Sequence, residues 1–250
     1  MVAMDLPDPI SRRDRQRQTR EALIFTARMV FAEDGYHGAS LEEIARRAGF
    51  SKGAVYSNFD GKAGLFLAVM DANMEIAFEA ADSWDPFGRP EPPQPPAVTG
   101  DWDPEEFARS MIGFSLATLE FIAAAARDEA LAPELGKRLR RLLDAYTGIA
   151  REQRAEGDPM TAEELGVLLA ALDQGAGMLT VGGSGVMDQR LLQAGMRRLL
   201  DPARAATTPP DDDGVEGLAL HSEEIQRRIA AAVREGLTEL SGEPGPAESG

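Results

Sequence analysis

Residues 40–62 read SLEEIARRAGFSKGAVYSNFDGK. Ser40 is a strong helix N-cap, and Glu43 follows three residues on, the spacing of a capping box. Leu41, Ile44, Ala45 and Ala48 recur at helical spacing and predict a buried stripe. Gly49 comes where a helix end calls for a left-handed residue. Ser51 caps a second short helix, with Val55 and Phe59 four residues apart on its inner face. The stretch therefore reads as helix, tight turn, helix.

The residues left for the outer face are Lys52, Gly53, Tyr56, Ser57 and Asn58. They are small or hydrogen-bonding, as suits a helix entering a DNA major groove. Gly53 and Ala54 allow close approach of the backbone. Lys52, Tyr56 and Lys62 are natural partners of phosphate, whereas Ser57 and Asn58 suit phosphate or a base edge.

Working outward, Phe31-x-x-x-Gly35-Tyr36 precedes this stretch, and Tyr56-x-x-Phe59-x-x-Lys62 closes it. Together these motifs resemble the N-terminal domain of TetR-family transcriptional regulators over about a fifth of the chain. The resemblance implies that Ser51–Asn58 is the recognition helix and that Ser40, Tyr56 and Lys62 belong to the DNA-contacting set. Ser40 stands in place of the more usual threonine, a change between two capping residues. Ala63-Gly64 departs from the family's acidic-led pair, and Gly64 costs about 1 kcal/mol of helix propensity relative to alanine.

Charge divides the chain in the same way. Net charge is −16 over 250 residues, yet residues 11–62 hold ten Lys or Arg against seven Asp or Glu. Five arginines fall within residues 12–20, and Arg12, Arg13, Arg15 and Arg17 read either as an arm for the DNA backbone or minor groove or as a solvated helix start. The chain lacks cysteine, which removes disulfides and thiolate metal sites. Its two histidines, His37 and His221, are far apart, and there is no phosphate-loop or triad pattern, so no enzyme and no cofactor are expected. No signal-peptide core or apolar run of membrane-span length is read, and a cytoplasmic protein with no membrane partner is expected.

The predicted architecture is all-α. Residues 1–10 read as disordered, 11–60 as a three-helix helix-turn-helix domain, and 61–200 as a larger helical domain. Within it, helices are predicted at 61–83, 104–126, 133–157, 161–181 and 187–200. Thr161 and Glu164 form a second capping-box pattern. A proline-rich loop spans 85–104, with seven of the sixteen prolines. Residues 201–220 read as mobile, 221–240 as an extra amphipathic helix, and the remainder as a disordered tail.

The resemblance assigns the larger domain an effector pocket and a dimer interface, the latter formed by the helices at 161–181 and 187–200. Phe107, Met111, Phe114, Phe121, Tyr146 and Met178 either line a cavity for a small hydrophobic or amphipathic effector or form plain core. Asp173, polar in an apolar helix, would orient a ligand or sit at the dimer seam. The expected partners are double-stranded operator DNA, a second copy of the chain and a small-molecule effector. The expected role is that of a ligand-released repressor. A TetR-like activator, or a helical protein-interaction module whose head does not bind DNA, stands beside it.

Overall fold

The computed structural model describes residues 11–81, 86–87, 104–182 and 189–208, and every described element is helical. The N-terminus up to residue 10, most of the proline-rich loop, and residues 209–250 with the expected extra helix at 221–240 lie outside the described residues.

Helix α1 (Arg12–Gly38) starts at Ser11, whose side chain accepts the Asp14 amide N–H. It buries Leu23, Ala27, Val30 and Phe31 on one face. The helix breaks its regular course at Gly35, where φ is +72° and a glycine is needed. Helix α2 (Leu41–Arg47) ends in a Schellman motif: Phe50 N–H donates to the Ala45 carbonyl at 2.8 Å and Gly49 N–H to that of Arg46 at 3.2 Å, with Gly49 at φ +75°. Nothing lies within 4 Å of a Cβ built on Gly49, so the turn selects glycine for its backbone and not for space. Helix α3 (Lys52–Asn58) follows at once.

The capping boxes turn out differently. At α7 (Ala162–Val181) both halves form, between Thr161 and Glu164. At α2 the Ser40 side chain accepts the Glu42 N–H, and Glu43 instead takes Arg46 and Arg47 at 2.6–2.9 Å. Three charge-assisted hydrogen bonds from two guanidiniums outcompete one neutral backbone amide.

Helix α4 (Gly61–Ala81) links two hydrophobic cores. Its first half, with Leu65, Phe66 and Val69, packs into the core of α1–α3; Met74 and Ala77 belong to the second core. Helix α5 (Pro104–Ala125) lies along α1, and Phe121, Ala117 and Ala125 are buried in the first core. Gly113 allows this: a Cβ there would fall 2.0 Å from the Ala32 carbonyl oxygen. Packing therefore does not divide at residue 60, because α5 joins the core of the N-terminal helices.

Helices α6 (Ala132–Gln153), α7 and α8 (Gln189–Leu200) build the second core around Tyr146, Leu165, Leu169 and Met196. Helix α7 is long and apolar enough to cross a membrane by length and composition alone, a test that a buried core helix also passes. Its buried face packs against α6 and α8, with Asp173 fully buried near its middle. A short helix α9 (Pro202–Thr207) occupies part of the stretch expected to be mobile. Asp201 caps it and Pro202 begins it. Of the proline-rich loop, Pro86 and Phe87 are held down: the Pro86 carbonyl accepts from Arg197 Nε, and the Arg204 guanidinium stands 4.3 Å over the Phe87 ring.

Candidate nucleic-acid interface

Helix α3 is docked by its inner face. Val55 is fully buried and Phe59 nearly so, and the Ser51 hydroxyl accepts the Ala54 N–H at 3.3 Å. This leaves Lys52, Gly53, Tyr56 and Ser57 on the solvent side. Tyr56 is 57% exposed, a high value for an aromatic ring with no cover from its own chain. A Cβ on Gly53 would meet only the Ser51 hydroxyl, at 3.6 Å. The bare backbone here is thus open to a partner and not required by the fold. Asn58 is half-buried and ties its side-chain amide to the Ala54 carbonyl at 2.8 Å, while Ser57 donates to the same oxygen.

The cations of this region are committed unequally. Lys52 Nζ pairs with Glu42 Oε1 at 2.5 Å; the hydrogen bond raises the lysine pKa and lowers that of the carboxylate. Arg46 and Arg47 hold the Glu43 carboxyl down to about 2 through their hydrogen bonds, and Arg47 also binds Glu33. Lys62 points inward: its ammonium donates to the carbonyls of His37 and Ala39, each at 3.0 Å, and lies 5.1 Å over the Tyr36 ring. Ser40 is exposed and engaged with Glu42 N–H. The structure therefore gathers Lys52, Gly53, Tyr56 and Ser57 on one face, with Ser40, Ser51 and Asn58 serving as caps or half-buried neighbours. Lys62 is a clamp on the end of α1.

Residues absent from the sequence-based site set lie beside it. Gln16 and Arg20 join Arg13 and Arg17 in lining an open groove of about 350 Å³ against Ser57 and Asn58. Their spacing of three, four and seven residues defines one helical face, a signal available in the sequence.

Among the described residues, the expected effector residues divide between the two cores and the surface. Phe114 and Phe121 sit in the first core, where Phe121 stacks on Phe66 at 4.7 Å and meets Tyr36 edge-on at 5.1 Å. Tyr146 and Asp173 are buried in the second. Burial and the neighbouring Asp173, which hydrogen-bonds it, push the Tyr146 hydroxyl well above its ordinary pKa. Gln174 donates to the same carboxylate at 3.0 Å. Met178 is 61% exposed. The side chains of Phe107 and Met111 lie outside the described residues.

Residues 23–69, which hold α2, the Gly49 turn and α3, match the bacterial regulatory proteins of the tetR family. Over these residues the chain is similar to the N-terminal domain of the TetR family. The chain is 41% identical over 58 residues to the HTH-type transcriptional activator FasR of Mycolicibacterium smegmatis, covering 23% of this chain and 26% of that one. It is 40% identical over 53 residues to the HTH-type transcriptional repressor BepR of Brucella suis, covering 21% and 25%. The match thus spans about a quarter of each relative. The likeness in fold extends beyond this segment. A TetR-family transcriptional regulator from Rhodococcus sp. superposes with a TM-score of 0.50 at 18% identity, covering 77% of this chain and 100% of that one. A transcriptional regulator from Pseudomonas aeruginosa PAO1 gives 0.51 at 20% identity, covering 76% and 92%.

Proposed function

We propose that the protein is a dimeric, DNA-binding transcriptional repressor, released from a palindromic operator by a small hydrophobic or amphipathic effector. One observation carries the DNA-binding reading: α3 is anchored by Val55 and Phe59 while Lys52, Gly53, Tyr56 and Ser57 stay outward and unburied. A helix held from behind, with a bare front, suits major-groove entry. A chromosomal operator would be met in the cytoplasm, where the protein is expected to act.

Dimerisation is supported by Val167 and Leu168 on α7, with Met178 further along it and Leu191 on α8, all 40–61% exposed. A two-fold dimer doubles the phosphate contacts of one small head and matches a palindrome. Tyr146 with Asp173 is a polar pair buried in the second core that suits orienting an effector. Effector binding would act as a population shift, favouring a conformation whose two α3 helices no longer match successive grooves.

Selection of bound fragments from random DNA, followed by sequencing, tests the reading. A palindromic consensus is expected, along with dimeric sedimentation of the free protein. Gly53→Val is expected to abolish binding of the selected duplex with the fold intact. Retained affinity would remove α3 from the groove.

A further inference from the structure

The groove between the N-terminal half of α1 and the C-terminal end of α3 has a chemistry of its own. Arg13, Gln16, Arg17 and Arg20 form one wall, and Ser57 and Asn58 the other. A helix C-terminus carries partial negative charge and by itself repels anions. Here Arg20 reverses that. Its Nη1 donates to the Asn58 carbonyl at 2.9 Å, and its guanidinium stacks 4.4 Å over the Phe59 ring. The last carbonyl of α3 is thereby capped by a cation that is itself held in place.

Arg13 and Arg17 add two further guanidinium groups. Among the described residues no carboxylate lies within ion-pair distance of Arg13 or Arg20. Arg17 has only loose contacts, 3.8 Å each, to Asp14 and Glu21. Arg46, Arg47 and Lys52 by contrast are held in pairs at 2.5–2.6 Å. The uncommitted positive charge near α3 therefore faces this groove.

We propose that the groove seats one phosphate of the DNA backbone, with Arg13 and Arg17 donating to its oxygens and Arg20 positioning the end of α3. The inference rests on the DNA-binding reading of α3. Seven helical residues span about 10 Å, against a major groove about 12 Å wide. A recognition helix of this length has a phosphate backbone near each end. The arginine groove stands at the C-terminal end of α3, so the seat serves the strand at that end.

The test measures binding against salt for the full chain, on the duplex selected from random DNA and on an unrelated duplex of equal length. Both Arg13 and Arg17 are exposed, so the double variant Arg13→Ala/Arg17→Ala keeps the fold. It is expected to reduce the slope of log K against log salt by about 1 and to weaken both duplexes by the same factor. An unchanged slope, in a protein whose unmodified form binds the selected duplex and whose Gly53→Val variant does not, overturns the seat and leaves the α3 reading standing. A loss confined to the selected duplex also overturns it, because the groove would then read bases. No binding of the unmodified protein to either duplex removes the α3 reading, and the seat with it.

Discussion

The Glu120 carboxylate accepts the backbone N–H of His37 at 3.0 Å, so a side chain of α5 holds the turn that joins α1 to α2. The opposite side of the same peptide segment is also held, because the His37 carbonyl accepts from Lys62 at the start of α4. One residue of the N-terminal head is therefore gripped by two helices that reach it from different directions. Gly35 makes this possible: its left-handed backbone turns the end of α1, and a Cβ there would crowd Glu120 Oε1 at 2.9 Å. Helix α5 is thus tied directly to the residues that precede the α2 cap.

Glu120→Ala is expected to destabilise the fold by about 1 kcal/mol, the net worth of a hydrogen bond at a partly exposed site. It should also speed hydrogen exchange at the His37 amide. Glu120→Gln keeps an acceptor oxygen and should restore most of the protection. Unaltered exchange in Glu120→Ala would show that the grip on His37 is not made in solution.

Lys62→Ala separates two roles. Loss of two donors to the His37 and Ala39 carbonyls should cost about 1–2 kcal/mol in urea unfolding. If the third ammonium proton also reaches a DNA phosphate, the salt slope of binding falls by about 1 and every sequence is weakened alike. A stability loss with an unchanged slope would make Lys62 a clamp and nothing more.

Gly113→Ala tests the seat of α5 on α1. The added methyl would meet the Ala32 carbonyl, a backbone atom that cannot swing away. Overpacking of this kind costs about 1–3 kcal/mol, and a lowered melting temperature is expected. Gly148→Ala is the matched control, since nothing lies within 4 Å of a Cβ there. It should raise stability by about 0.5–1 kcal/mol through helix propensity. Equal effects at the two positions would contradict the close approach of α5 and α1.

Local signals were legible wherever their physics is local. Gly49 adopts the left-handed turn its position demands, Thr161 and Glu164 form their box, and the Val55/Phe59 pair anchors α3. Competition hid the rest. Glu43 had the right spacing for a box but prefers two guanidiniums. The Asp201-Pro202 start of α9 was masked by its Pro- and Thr-rich surroundings. Periodicity showed that α5 has a buried face but not what covers it, so Phe114 and Phe121 were read toward the larger domain and pack instead on Phe66 of the head. The arginine groove needs α1 and α3 placed together, which no single segment encodes.

Tyr146 and Asp173 give the second core a pH dependence with a definite sign. The tyrosine hydroxyl is buried and its pKa raised, by burial first and by Asp173 second. An unfolded tyrosine ionises near about 10. Below that value both states keep the proton and the stabilisation is complete. As pH climbs through about 10 the unfolded chain loses its proton first, and stability falls. Tyr146→Phe removes this dependence. It also takes a donor from the buried Asp173 carboxylate, costing roughly 1–3 kcal/mol at pH 7. Urea unfolding from pH 7 to 11 should show the variant less stable at neutral pH and the gap to the unmodified protein closing as pH rises beyond 10. A gap constant across that range would mean that the folded protein does not hold the Tyr146 proton, and that the pair does not stabilise the core as its geometry implies.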